Sequence, residues 1–238
     1  MRRFISMTSL QAGYRALVIG ASGGIGSALC EVLRQDSACQ DVVTLSRRED
    51  GFDLTDEASI AACAERLAGQ QHRFDLILCA TGALAINGVG PEKAIKAVTS
   101  EAMAAQFALN AIGPALVLKY FTPLLAKNSR SLMGFLSARV GSIGDNRLGG
   151  WISYRASKAA LNQIVHTAAI EIGRTRPQAV VVSLHPGSVD TGLSANFAVG
   201  HERFAPDHSA GLLLSVLDSL SPAQTGGFFA YDGSVIEW

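Results

Sequence analysis

The sequence predicts an α/β fold: one doubly wound domain built on a parallel sheet. Three observations point there. Short apolar runs alternate with longer stretches of helical periodicity. Those runs are apolar on both faces, as strands covered by helices on both sides must be. A glycine-rich turn joins the first run to the first helical stretch. At 238 residues, 48% of them hydrophobic, the chain has the material for one large core.

Taken in order, RALVIG (15–20) reads as a buried strand. GIGSALCEVLRQ (24–35) reads as a helix with Ile25, Leu29, Val32 and Leu33 at helical spacing. DVVTLS (41–46) is a second strand. TDEASIAACAERLAG (55–69) is a helix with Thr55 as N-cap and acids in its first turn. DLILCA (75–80) is a third strand. The stretch 99–127 is a long helix that Pro114 should kink or break. SLMGFLS (131–137) is a strand, 151–173 a helix, and AVVVSLHP (179–186) a strand. A last helix covers about 207–220, and GGFFAYDG (226–233) supplies a final strand. Residues 1–14 read as a loose lead-in, with Met7 an alternative start, before a single domain spanning 15–238.

Charge excludes some function classes. Twenty basic residues balance twenty acidic ones. No electrostatic pull toward nucleic acid or an anionic membrane follows from that. Arg2–Arg3 and Arg47–Arg48 are the tight basic pairs. The cysteines at 30, 39, 63 and 79 form no CxxC or Cys/His cluster, so no metal site is expected. Four scattered cysteines fit a reducing compartment. No run of eighteen apolar residues suggests a membrane span. The expected location is the cytoplasm.

The turn VIGASGGIGSAL (18–29) carries the first chemical signal. Gly20, Gly24 and Gly26, with Ser22 and Ile25 among them, let backbone approach a pyrophosphate at a helix N-terminus. The second strand then ends in LSRR. An acid in this region would hold the ribose 2′-OH of NAD. Ser46 and Arg47 stand there instead, and arginine pairs with a 2′-phosphate through charge-assisted hydrogen bonds. NADP(H) is favoured over NAD(H).

SYRASKAAL (153–161) carries the second signal, a tyrosine and a lysine four residues apart. On a helix Tyr154 and Lys158 share a face. Alone, such a pair also suits an exposed helix surface. A phenol titrates near 10 (about 10 in model peptides). A nearby ammonium lowers that value and lets the phenol act as acid and base. The pair is therefore the candidate catalytic centre.

With its Gly-x-x-x-Gly-x-Gly turn, its Tyr-x-x-x-Lys and the segment RVGSIGDNRLGGWISYRASKAALN (139–162), the chain resembles the short-chain dehydrogenases/reductases. The likeness to C-factor-like and Sniffer-like carbonyl reductases is marked. The resemblance implies a Rossmann domain with a mostly seven-stranded parallel sheet. It implies that Tyr154 donates a proton to a carbonyl oxygen. Lys158 would hold the nicotinamide ribose and depress the tyrosine's pKa, and Asn110 would hold a water leading protons toward Lys158. Asp53, with Leu54, matches a position near the adenine amino group. CATGAL (79–84) stands where the family has Asn-Asn-Ala-Gly; Ala80 and Gly82 would border the cofactor ribose, Gly82 being retained.

The family's carbonyl-polarising serine is harder to place. Ser137 matches the first of a serine pair and Ala138 replaces the second. Ser137 is the first choice, Ser142 the alternative, and a missing serine role the third reading. Pro186 and Gly187 would turn the chain beside the nicotinamide, where the Val189 backbone would bond its carboxamide and the Thr191 hydroxyl would reach the carboxamide or the pyrophosphate. Residues 192–206, with Phe197 and Phe204, suggest a lid. The histidines, Trp151 and Trp238 read as structural or packing residues.

The implied activity is a reversible NADP(H)-dependent reduction of a small aldehyde or ketone to an alcohol. A nucleotide-binding sensor of the same fold with little catalysis is the alternative, prompted by the missing asparagines and Ala138. Self-association as a homodimer or homotetramer is expected through 100–126 and 152–172.

Overall fold

A computed structural model of the chain describes residues 6–192 and 203–238. Its strands are β1 (Tyr14–Ile19), β2 (Cys39–Leu45), β3 (Leu76–Cys79), β4 (Ser131–Leu136), β5 (Ala179–His185) and β6 (Phe228–Ala230). They pair in parallel in the order β2-β1-β3-β4-β5-β6. The fold is the doubly wound α/β architecture that the sequence predicts. Its sheet has six strands among the described residues, against the seven expected. After the three residues of β6 the chain turns back, and Val235 meets Phe229 only as an isolated antiparallel bridge.

The helices are α1 (Gly24–Arg34), α2 (Arg47–Asp50), α3 (Glu57–Gly69), α4 (Ser100–Phe107), α5 (Gly113–Phe121), α6 (Ile152–Thr175) and α7 (Pro206–Ser219). They lie on both faces of the sheet, and the two-residue period of the strands sorts the core accordingly. Leu17, Ile19, Ile77, Met133 and Val181 pack toward Val117, Phe121, Leu161 and Val165 of α5 and α6. The residues between them, Ala16, Val18, Leu76, Leu132 and Val180, pack toward Leu29, Leu33, Leu213 and Leu217 of α1 and α7. Each fully buried leucine or valine contributes about 1.5–3 kcal/mol by leaving water.

Local chemistry shifts several boundaries. Asp56, not Thr55, caps α3, accepting from the Ala58 N–H at 3.0 Å, while Thr55 bonds to Asp53. The expected break falls just before Pro114, where the long helix divides into α4, a π turn and α5. A π turn, Ala108–Ile112, precedes it, and Pro114 falls in the first turn of α5, where its missing N–H is tolerated. The stretch Ser100–Leu124 has a mean hydropathy of 1.3, long and apolar enough by composition to cross a membrane. Here Val117, Phe121 and Leu124 are buried in the domain core.

The lead-in is not loose from residue 6 onward. Met7, Leu10 and Tyr14 are buried. The Asp36 carboxylate accepts from the Ser6 hydroxyl, the Met7 N–H and the Tyr14 hydroxyl at 2.6, 2.9 and 2.8 Å. Asp218 of α7 accepts from the N–H groups of Thr8 and Ser9 at 3.0 and 2.8 Å. Two carboxylates thus strap this segment to the loop after α1 and to α7. Arg2, Arg3, Phe197 and His201 lie outside the described residues, as does most of the expected lid.

Candidate active site

The chain leaves β1 for β2 on one side and returns to β3 on the other, so a crevice opens at the carboxyl ends of β1 and β3. Backbone approaches backbone there. Gly20 adopts φ 86°, and a Cβ on it would lie 2.8 Å from the Ala80 carbonyl. A Cβ on Gly26 would collide with the Gly20 carbonyl oxygen. The helix opening on this turn, α1, has Gly23 as N-cap and no side-chain cap. Its first N–H groups and positive dipole end therefore face the crevice, with Ser22 and Gly24 exposed and Ile25 half-buried. A Cβ on Gly24 would press on Thr191 at 2.7 Å, so the loop after β5 closes the other side. This glycine-lined cradle fits a dinucleotide pyrophosphate.

At the end of β2, Ser46 is buried and caps α2, its hydroxyl accepting from the Glu49 N–H at 3.2 Å. Arg47 and Arg48 stand exposed at the start of α2. One Asp53 oxygen accepts from the Thr55 N–H and hydroxyl at 2.9 and 2.7 Å, and those bonds hold its carboxyl below the usual range. Leu54 is buried against Gly113 and acts in packing.

Tyr154 and Lys158 are both buried, one turn apart in α6. The Lys158 ammonium donates to the Leu136 carbonyl at 2.9 Å and lies 5.9 Å from the centre of the Tyr154 ring. Gly82 faces it: a Cβ there would sit 3.0 Å from Lys158 Nζ and 3.2 Å from Asn110 Oδ1. The glycine after β3 thus brings Lys158 and Asn110 to one point. The expected depression of the phenol pKa is not seen. Burial pushes Tyr154 up to about 12, and it pushes Lys158 down to about 8. Near neutrality the pair stands as a neutral phenol beside an ammonium, the protonation state of a proton donor.

Asn110 lies in the π turn, and its amide makes three hydrogen bonds. Oδ1 accepts from the Ala83 N–H at 3.0 Å, while Nδ2 donates to the Ala83 carbonyl at 3.0 Å and to Gln106 Oε1 at 2.6 Å. Gln106 in turn donates to the Leu84 carbonyl at 3.0 Å. The two amides therefore hold the loop that carries Gly82. Gln106 gave no sequence signal beyond its place one turn before Asn110.

Of the two serines, Ser137 has its hydroxyl proton engaged. Ser137 is buried and donates its one proton to Asn162 Oδ1 at 2.7 Å. It points toward α6 because residues 133, 135 and 137 share that face of β4. Ser142 is buried as well, accepting from the Asp145 N–H at 3.0 Å.

Beyond β5, Gly187 adopts φ 79°, and its turn rests on the rings of Phe204 and Tyr231. Val189 is buried, and the flanking backbone pairs with Phe204: Asp190 N–H to its carbonyl at 2.9 Å and its N–H to Ser188 at 2.8 Å. Phe204 packs against the Pro186–Gly187 turn. His185 is held down to about 4 by burial, with Arg139 adding to the effect. Trp151 packs edge-on against Tyr154, ring centres 6.4 Å apart.

Comparison with known proteins finds relatives and solved structures of the same fold. A family model described as "Enoyl-(Acyl carrier protein) reductase" matches residues 22–232. The chain is 31% identical over 232 residues to the 1-hydroxy-2-glutathionyl-2-methyl-3-butene dehydrogenase of Rhodococcus sp. (strain AD45), covering 93% of this chain and 98% of that one. It is 37% identical over 137 residues to the C-signal protein of Myxococcus xanthus, covering 57% and 78%, in keeping with the C-factor-like resemblance. An NADPH-bound carbonyl reductase from chicken fatty liver superposes with a TM-score of 0.82 at 27% identity, over 97% of this chain and 96% of that one.

Proposed function

Because the chain belongs to the short-chain dehydrogenase/reductase family of NAD(P)-dependent oxidoreductases, we propose that it reduces aldehydes or ketones with NADPH, using Tyr154 as the proton donor. The observation that carries this reading is the meeting of Lys158 and Asn110 at Gly82, one helical turn from Tyr154. Backbone at Gly20, Ser22, Gly24, Ile25 and Gly26 would hold the pyrophosphate, Arg47 the 2′-phosphate, and Asp53 the adenine amino group. Ala80 and Gly82 would border the ribose, and Pro186, Gly187, Val189 and Thr191 the nicotinamide.

When bound, NADPH supplies the hydride that reduces the carbonyl carbon. Tyr154 gives its phenolic proton to the carbonyl oxygen, and burial keeps that proton in place near neutrality. The neighbouring Lys158 ammonium stabilises the phenolate left behind. In the reverse direction the phenolate takes the proton from a secondary alcohol. Ser137 keeps Asn162 in place, so the carbonyl oxygen depends chiefly on Tyr154.

The engaged Ser137 and the Ala138 substitution favour one second reading, a sensor that binds NADP(H) with little turnover. NADPH oxidation across a panel of aldehydes and ketones separates the two. Oxidation of NADPH with several of them supports the reductase; tight NADPH binding with no turnover supports the sensor. We also propose a homodimer or homotetramer assembled through α4, the π turn, α5 and α6, where Ile112 and Ile170 are 54% and 51% exposed. A monomer by light scattering would contradict that assembly.

A further inference from the structure

Tyr154 stands in the first turn of α6, and that turn is not capped by its own sequence. The N-cap residue, Trp151, adopts φ 54° and makes no side-chain cap hydrogen bond. The first N–H groups of a helix have no intrahelical acceptors and need partners from elsewhere. Here the partner comes from the loop after β3. Glu92 is buried, and its carboxylate accepts from the Ser153 N–H at 3.2 Å and from the Ser153 hydroxyl. The Glu92 main-chain carbonyl accepts from the Trp151 N–H. A carboxylate at this end of a helix is favoured by the helix dipole. Burial opposes the charge, yet the bonds from Ser153 hold the Glu92 carboxyl below the usual range. One residue from a distant loop thus fixes positions 151 and 153, which lead directly into Tyr154.

We propose that Glu92 is a positioning residue for Tyr154, setting where the phenol oxygen stands in the crevice. The inference rests on Tyr154 being the proton donor. A misplacement of about 1 Å at a reacting group lowers the rate by about 10²-fold, so a clamp on this turn acts on kcat. A cap serving the fold alone would change Tm and leave the kcat of folded enzyme untouched.

The test compares full-length wild type, Tyr154→Phe, Glu92→Ala, Glu92→Gln and Glu92→Asp in NADPH-dependent carbonyl reduction, NADPH affinity and Tm. Glu92→Ala should lose about ten- to a hundredfold in kcat while the NADPH Kd stays within about twofold. Glu92→Gln should recover most of the rate. Its amide oxygen accepts from the Ser153 N–H, and its NH2 donates to the hydroxyl. The carboxylate of Glu92→Asp falls one methylene short, and this variant should lose several-fold in kcat; it decides the question if Glu92→Ala fails to fold. Wild-type kcat in either shortened variant, or a parallel loss of NADPH affinity, overturns the proposal. Full turnover in Tyr154→Phe overturns the reading beneath it instead, and a wild type silent on every carbonyl overturns both.

Discussion

Gly82 and Lys158 are in van der Waals reach of each other: a single added carbon on the glycine would stand 3.0 Å from the lysine Nζ. The same carbon would stand 3.2 Å from Asn110 Oδ1, and the glycine holds φ 145°, which side-chain-bearing residues rarely adopt. Gly82→Ala therefore strains the backbone by about 1–3 kcal/mol and displaces the ammonium. The expected result is a fall in kcat/KM of at least about tenfold, with the variant still folded by circular dichroism. Activity equal to wild type would show that the ammonium does not need its place beside the glycine.

The protonation states set a pH profile. Lys158 is held down to about 8 and Tyr154 up to about 12 by burial. Reduction needs the neutral phenol and the ammonium together. Its kcat/KM should stay level below about pH 8 and decline above it, as Lys158 loses its proton. Oxidation of an alcohol needs the phenolate and should rise with pH instead. A reduction rate that climbs between pH 8 and 10 would contradict these assignments.

Arg47 is the first exposed cation after β2, next to the exposed Arg48, while the Ser46 hydroxyl is occupied as a cap. A hydrogen bond to a charged group contributes about 1.5–3 kcal/mol. Arg47→Ala should then weaken NADPH binding about ten- to a hundredfold and leave NADH binding unchanged. Isothermal titration with both nucleotides reads this directly. Equal weakening for both would detach Arg47 from the 2′-phosphate.

The N-terminal strap adds a stability prediction. Burial disfavours the charged form of Asp36, but the bonds from Ser6, Met7, Ala38 and Tyr14 hold its carboxyl below the usual range. Asp218 is lowered in the same way by Thr8 and Ser9. Groups with depressed folded pKa values stabilise above the unfolded value of about 3.9 and lose that contribution as pH falls through the folded value. Asp36→Ala should lower stability at pH 7 by about 2 kcal/mol and Tm by roughly 5 °C. The difference from wild type should shrink below about pH 4. An unchanged Tm at pH 7 would mean the strap adds nothing.

The sheet and the cofactor cradle were legible because they rest on local pattern. RALVIG, DLILCA and AVVVSLHP announce buried strands by composition, and the glycine turn stands between a strand and a helix. Tyr154 and Lys158 were legible because four-residue spacing on a helix means one face. What escaped depends on long-range contacts or on fine backbone geometry. Glu92 meets Ser153 across 61 residues, and Met7 meets Asp36 across 29; no periodicity links either pair. The π turn before Pro114 has the same apolar composition as a plain helix. The engagement of Ser137 follows from which face of β4 it occupies and from Asn162 lying opposite. Charge proximity alone predicts a lowered Tyr154 pKa, but burial, which sequence spacing does not show, raises it.

The central claim is that the Tyr154 phenol delivers the proton to a carbonyl oxygen. Its most direct test is Tyr154→Phe, which removes one oxygen atom and leaves the ring in place. NADPH oxidation with the best carbonyl of the panel should fall by about 10²- to 10⁴-fold, with NADPH affinity unchanged. Turnover within a few-fold of wild type in a clean preparation would contradict the account.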